Sequence, residues 1–212
     1  MSERTSGLYR LITHPKFYSD FQDILGANQS RQRIKDLYFP DLTGQAVLEV
    51  GCGPATGVPF MKSCESYLGL DWNATHIGAA RSLFPDPKYQ FEVANVADPN
   101  AMAGRTFDRA FAFGLLHHLD DAEAISLLSG IARVLRPNGT LLVGEPIFHQ
   151  NQHPFARFMK HCDSGRNIRT REGYMDLFET CLVHTEFRLH TDLLRVPYSH
   201  GFFLSSGKKD VA

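Results

Sequence analysis

Apolar residues along this chain recur in two rhythms. Short runs of four to seven residues rich in aliphatic and aromatic side chains lie at Ala46–Val50, Tyr67–Leu70, Tyr89–Val93, Phe107–Phe113 and Thr140–Gly144. Between them, apolar positions recur at helical spacing, as in Ile125, Leu128, Ile131, Ala132 and Leu135. Such runs predict strands buried on both faces, and the 3.6-residue period predicts helices with one apolar stripe. Helices are predicted from Ala74 to Leu83, closed by Pro85 and Pro87, and from Ala122 to Leu135, ended by Arg136-Pro137-Asn138-Gly139. After Gly57 the chain is expected to be irregular at Pro59 and then helical to about Cys64. Strands alternating with helices at this spacing imply a mostly parallel sheet with right-handed crossovers.

The ends of the chain depart from that rhythm. Phe17, Phe21, Ile24 and Leu25 have helical spacing after Pro15, with Gly26 as a stop. A second, basic helix should run from about Asn28 or Ser30 to Tyr38, stopped by Pro40. These helices could form a cap, with Tyr9, His14, Tyr18 or an arginine reaching a pocket, or simply a solvated surface. Beyond Glu145 strand character fades. A short helix is expected from Pro154 to about Lys160, and another, capped by Thr170 with Glu172 in its first turn, to about Thr180. Leu182–His190 and Ser199–Leu204 then read as an antiparallel pair of strands, followed by a polar tail from Ser205.

Composition narrows the class. With 212 residues, 43% hydrophobic and 21% charged, the chain suits one globular α/β domain. We divide it into a helical cap (1–43), a core (44–145) and a final section (146–212). A net charge of -1 and no basic stripe with interleaved aromatics argue against a nucleic-acid partner. No long apolar run is present and the first ten residues are polar and mixed. Neither a membrane partner nor a secretory leader is therefore expected, and a cytoplasmic location is the default. Cys52, Cys64, Cys162 and Cys181 form no C-x-x-C pair and are expected to be reduced. Metal binding is not expected: His149 and His153 are four apart, but Pro154 follows and no acid cluster accompanies them.

Candidate chemistry gathers where strands end, which in a doubly wound sheet is the ligand-binding rim. The first strand closes on Glu49 and Val50, and Gly51-Cys52-Gly53 turns immediately after it. Asp71 ends the second strand and could hold both hydroxyls of a ribose, or only cap a helix. Trp72 follows it. Asn95 and Val96 follow the third strand, and Phe113-Gly114 ends the fourth. Each is weak alone; a Gly-x-Gly turn after a strand is often no more than a turn.

Together the segments VLEVGCGPATG, YLGLDWNATHIGAAR, FEVANVAD, FDRAFAFGLLHHLDD and RVLRPNGTLLVGEP resemble the class I S-adenosylmethionine-dependent methyltransferases. The likeness spans nearly the whole chain and points to a bacterial small-molecule branch. It implies a Rossmann-like α/β sheet of order 3-2-1-4-5-7-6 with the seventh strand antiparallel. It implies methyl transfer to an O or N atom of a small molecule, with S-adenosyl-L-methionine as cofactor and S-adenosyl-L-homocysteine as product. By position, Glu49 and the turn Gly51, Cys52 and Gly53 would lie beside the methionine part. Asp71 would hold the ribose, Trp72 pack on adenine, Asn95 and the Val96 amide meet the adenine edge, and Phe113 line the pocket. Ala55 stands where the family often has a third glycine, and Asn95 where it often has Asp.

Methyl transfer needs a base only if the acceptor must lose a proton. His117 is the first candidate and His118 the second, though both could be structural; His149, His153 and His200 follow. Arg166, Arg169 and Arg171 could recognise an anionic group on the acceptor or pin a loop to Asp163 or Glu145. Tyr18, His149, Arg166 and Arg169 are the substrate-side candidates. The chain is expected to be a monomer or homodimer. Two alternatives stay open. One is an NAD(P)-dependent Rossmann oxidoreductase, although Gly51-x-Gly53-x-x-x-Gly57 departs from G-x-G-x-x-G. The other is a non-catalytic cofactor-binding homologue.

Overall fold

A computed structural model describes residues 26–208 apart from 99, 162 and 164. The expected first helix, Tyr9, His14, Tyr18 and Cys162 lie outside the described residues. The elements are α1 (Ala27–Tyr38), β1 (Ala46–Val50), β2 (Ser66–Asp71), α2 (Ala74–Leu83), β3 (Tyr89–Val93), β4 (Phe107–Phe113), α3 (Asp121–Val134), β5 (Leu135–Pro146), α4 (Pro154–His161), α5 (Arg171–Cys181), β6 (Leu182–His190) and β7 (His200–Lys208). They build one seven-stranded sheet of order β3-β2-β1-β4-β5-β7-β6. Strands β1 to β5 pair in parallel, and β7 runs antiparallel between β5 and β6. The fold is therefore the one the resemblance implied.

The sheet is covered on both sides, which explains why its central strands are apolar without alternation. One face carries Leu48, Val50, Leu68, Leu70, Ala110, Ala112 and Val143 against Leu127, Leu128 and Ile131 of α3 and Phe178 of α5. The other carries Val47, Tyr67, Phe91, Phe111 and Phe202 against Ile77 and Ala80 of α2 and Ile34 of α1. Helix starts follow their caps. Asn73 Oδ1 accepts from the Thr75 and His76 amides, Asp120 and Glu123 form a reciprocal capping box, and Thr170 accepts from the Gly173 amide.

Three expectations need correcting. The stretch after Gly57 forms only a three-residue 3₁₀ turn, Val58–Phe60, not a helix to Cys64. β5 begins at Leu135, with no break after α3. Arg136–Gly139 is an irregularity inside it, because Leu135 and Thr140 pair with Phe107 and Arg109. Asn138 there has φ 69°, a left-handed conformation that Asn tolerates. Finally, the polar tail is strand: Ser205 is fully buried, bonded at 2.9 Å to Thr185 Oγ1, and β7 continues to Lys208.

Candidate active site

The carboxyl ends of β1, β2 and β3 form an open rim. Glycines make the first turn possible: Gly51 has φ 74° and Gly53 φ 53°, a region that costs other residues about 1–2 kcal/mol. Ala55 nonetheless adopts φ 61° while fully buried. All three turn amides are used within the chain. Gly51 and Cys52 both donate to the Leu70 carbonyl, at 2.7 and 3.0 Å, and Gly53 donates to Asp71 Oδ2 at 2.9 Å. A Cβ on Gly53 would meet nothing within 4 Å, so the turn's outer face is open to a ligand.

Asp71 closes β2. Its other oxygen accepts from the Asn73 amide at 2.8 Å, and Asn73, not Asp71, caps α2. Burial alone would raise the Asp71 pKa. Hydrogen bonds from His76, Asn73 and Gly53 outweigh it, so the carboxyl is held below its ordinary value. With Asn73 and His76 on Oδ1 and Gly53 on Oδ2, Oδ2 keeps a second lone pair for a ligand hydroxyl. Trp72 beside it is 47% exposed and Val93, paired with Asp71 in register, 52% exposed. A large apolar ring left open beside a charged, partly satisfied carboxylate is the pairing that an adenosine requires. Asn95 turns its Oδ1 back to the Ala97 amide at 3.2 Å, and Val96 is buried below it.

Glu49 is buried, and its carboxyl accepts from the Tyr67 hydroxyl at 2.5 Å. Desolvation, opposed by Tyr67 and Arg31, raises its pKa to about 7. A Cβ on Gly57 would lie 3.0 Å from Glu49 Oε2, so glycine there leaves the room this carboxyl occupies. The Cys52 thiol points into the core, where burial raises its pKa; a side chain on Gly69 would strike it at 2.8 Å. Any part that Cys52 plays at the rim is therefore a backbone one. Phe113 is half-buried over Gly144, which has no room for a Cβ, and it meets Phe202 at 6.4 Å.

The rim at β4 and β5 is built differently. Glu145, fully buried at the end of β5, accepts from the Leu115, Leu116 and His117 amides at 2.8, 2.7 and 3.3 Å. It also accepts from His117 Nδ1 at 2.7 Å, while His117 Nε2 lies 3.4 Å from Asp163 Oδ1. Burial would lower the His117 pKa, but the two carboxylates raise it to about 9. Both ring nitrogens of His117 thus face carboxylates, which favours the imidazolium over a free base. His118, its ring 4.1 Å away, is the opposite case. Burial and the neighbouring charge lower its pKa, and its Nδ1 is buried without a partner among the described residues.

Asp163 and residues 165–169 wrap this element. Asn167 donates to the His117 carbonyl at 2.9 Å, and a Cβ on Gly165 would fall 2.0 Å from His117 Cδ2. Arg169 spends all five of its donors inside the chain. Nε and Nη2 reach Asp121, Nη1 the Leu116 and Asn167 carbonyls, and Nη2 also the Leu119 carbonyl. It pins the loop and has no donor left for a substrate. Its acid is Asp121, rather than the expected Asp163 or Glu145. Arg171 lies over Phe187 at 5.3 Å. Arg166 borders a cavity. His149 bonds Ser199 Oγ at 2.9 Å, and His153 accepts from the Phe155 amide at 3.2 Å, so the two share no ligand. Among the described residues, no group of three or more His, Cys, Asp or Glu is placed to hold a metal. Among those residues, too, no helix is long and apolar enough to cross a membrane.

Sequence reasoning did not anticipate Tyr67, Lys160 or Gly165, nor the carboxylates of Glu145 and Asp163 as partners of His117. Glu145 carried a usable signal, because an acid closes an apolar strand there as at Glu49 and Asp71.

Comparison with known proteins agrees with this geometry. Residues 47–139 match a family model described as a methyltransferase domain. An uncharacterized methyltransferase of Synechocystis is 30% identical over 97 residues, covering 45% of this chain and 44% of that protein. The chain spans less than half the length of the curated relatives it matches. Among solved structures, an N-methyltransferase of Haemonchus contortus, in complex with phosphomonomethylethanolamine and S-adenosylhomocysteine, superposes with TM-score 0.71. It shares 16% identity, covering 95% of this chain and 59% of that one. The [4+2]-cyclase SpnF superposes with TM-score 0.65 at 14% identity, covering 83% and 81%. Residues 47–139 thus match a methyltransferase domain, and the chain shares its fold with these solved structures.

Proposed function

We propose that the protein is an S-adenosylmethionine-dependent methyltransferase acting on an O or N atom of a small molecule. The observation that carries this reading is the β1–β2 rim. Three turn amides are consumed internally, a charged Asp71 retains a free lone pair on Oδ2, and Trp72 stands exposed beside it. A dinucleotide would instead need amides and a helix N-terminus aimed at its pyrophosphate. The described chain between β1 and β2 has only the Val58–Phe60 turn.

In this reading Asp71 binds the ribose hydroxyls, Trp72 covers the adenine, and Asn95 with the Val96 amide meets its edge. Glu49 and the Gly51-Cys52-Gly53 backbone hold the methionine end, and Phe113 lines the path of transfer. The cofactor supplies a methyl group already activated on a sulfonium and leaves as S-adenosylhomocysteine. The protein's work is then alignment and exclusion of water. Should the acceptor carry a proton, the neutral His118 is the group to take it, and His117 positions the loop that carries it. Because SpnF shares the fold, fold alone does not decide the chemistry.

The test is incubation with methyl-labelled cofactor and a small-molecule extract. Label should appear in a small product, with S-adenosylhomocysteine in equal amount. Cofactor binding with no transfer to any acceptor would instead favour a non-catalytic homologue.

A further inference from the structure

Beyond the carboxyl end of β5 lies a cavity of about 210 Å³, bordered by Phe148, Lys160, His161, Asp163 and Arg166. Lys160 is only 2% exposed. One of its three ammonium hydrogens goes to the Ile147 carbonyl. Its other neighbours are rings: Nζ lies 5.0 Å over Tyr198 and 5.7 Å over Phe148. Among the described residues, no carboxylate lies within 4.0 Å of it. A buried charge without a counterion is costly and calls for one. Asp163 is already committed, through Oδ1 to His117 and the Gly165 amide and through Oδ2 to the Tyr198 hydroxyl. The remaining groups add no negative charge. Arg166 is exposed at the border with no partner among the described residues, and His149 and His200 both feel the Lys160 charge.

We propose that this cavity binds the anionic end of a small molecule, a carboxylate or phosphate, with Lys160 as its buried anchor and Arg166 as a second, outer donor. Two of the Lys160 hydrogens and the fork of Arg166 supply the charge-assisted bonds. The Phe148 ring at its border offers a face for a flat apolar body behind the anion. The cavity is smaller than the roughly 300–1,000 Å³ clefts that take whole drug-sized ligands, so it suits one end of a ligand. Burial lowers the Lys160 pKa to about 8, and a bound anion should raise it again. That the anion belongs to the methyl acceptor rests on the function proposed above; that the cavity binds it does not.

The experiment is titration of the full chain, without cofactor and at fixed salt, with benzoate, neutral benzamide and inorganic phosphate. Benzoate or phosphate should bind, benzamide at least tenfold more weakly, and whichever anion binds names the group. Lys160→Met should weaken that binding at least tenfold and Arg166→Ala severalfold. Arg166→Ala, at an exposed site, should leave the melting temperature unchanged and serves if Lys160→Met fails to fold. Binding of neither anion, equal binding of benzamide, or anion binding indifferent to the variants would overturn the proposal. S-adenosylhomocysteine titrated into the same samples separates the two claims. Its failure with anion binding intact would remove the methyl-transfer reading and leave the cavity site standing.

Discussion

The two halves of the sheet's rim are held together by different means. At β1 and β2 the rim is an open turn of glycines, two carboxylates and an exposed indole, built from contacts within the span Glu49 to His76. At β4 and β5 it is a closed assembly of charges. Glu145, His117, Asp163 and Arg169 join segments 28 to 53 residues apart. The first half leaves surface for a ligand. The second spends the polar groups of Glu145, His117 and Arg169 on itself, while His118 Nδ1 is left without a partner among the described residues.

The largest effect should come from breaking the closed half. Glu145→Gln removes the buried counterion of His117 and puts an amide NH₂ where amide donors point. Loss of one partner from such a buried pair costs about 3–5 kcal/mol, measurable as a lower denaturation midpoint. A mild effect would mean that the charges are not coupled as drawn.

Next is a pH dependence. The folded His117 pKa, about 9, exceeds the ordinary 6.5, so its contribution is fully present below pH 6.5 and lost as pH rises through 9. The size is on the order of 3 kcal/mol. Lys160, lowered to about 8, acts oppositely over the upper part of that range, and the raised Glu49 pKa acts below pH 7. The comparison is therefore wild type against His117→Asn across pH 6 to 10. The difference in stability should shrink as pH rises.

Smaller still, Trp72→Ala tests the open half. It should cost about tenfold or less in S-adenosylhomocysteine affinity, in line with about 0.5–1.5 kcal/mol for ring stacking, and leave stability within about 1 kcal/mol. A large stability loss with unchanged affinity would make Trp72 structural. Smallest is Ala55→Gly. Relief of a left-handed alanine, about 1–2 kcal/mol, is offset by a lost buried methyl and a looser unfolded chain. The net change in unfolding free energy should stay within about 1 kcal/mol.

The same contrast explains what was legible in the sequence. Strands β1 and β3, helix α2 and the rim residues Asp71 and Trp72 follow from local pattern, because apolar runs and strand-end residues are adjacent in sequence. The helix expected after Gly57 failed because that crossover packs as turns around Glu49 and Ala55, a tertiary preference with no local period. The role of His117 was not legible. His-His-Leu has the same local form whether its imidazole is free or clamped, and the clamp is supplied by Glu145 and Asp163. For Arg169 the sequence left substrate recognition and loop-pinning open, because its partners at Leu116, Leu119 and Asp121 lie about 50 residues away.

The most direct measurement is calorimetric titration of the purified chain with S-adenosylhomocysteine and, separately, with NADH. One-to-one binding of S-adenosylhomocysteine, weakened by Trp72→Ala, and no heat from NADH are expected. Binding of NADH with silence from S-adenosylhomocysteine would contradict the proposed function.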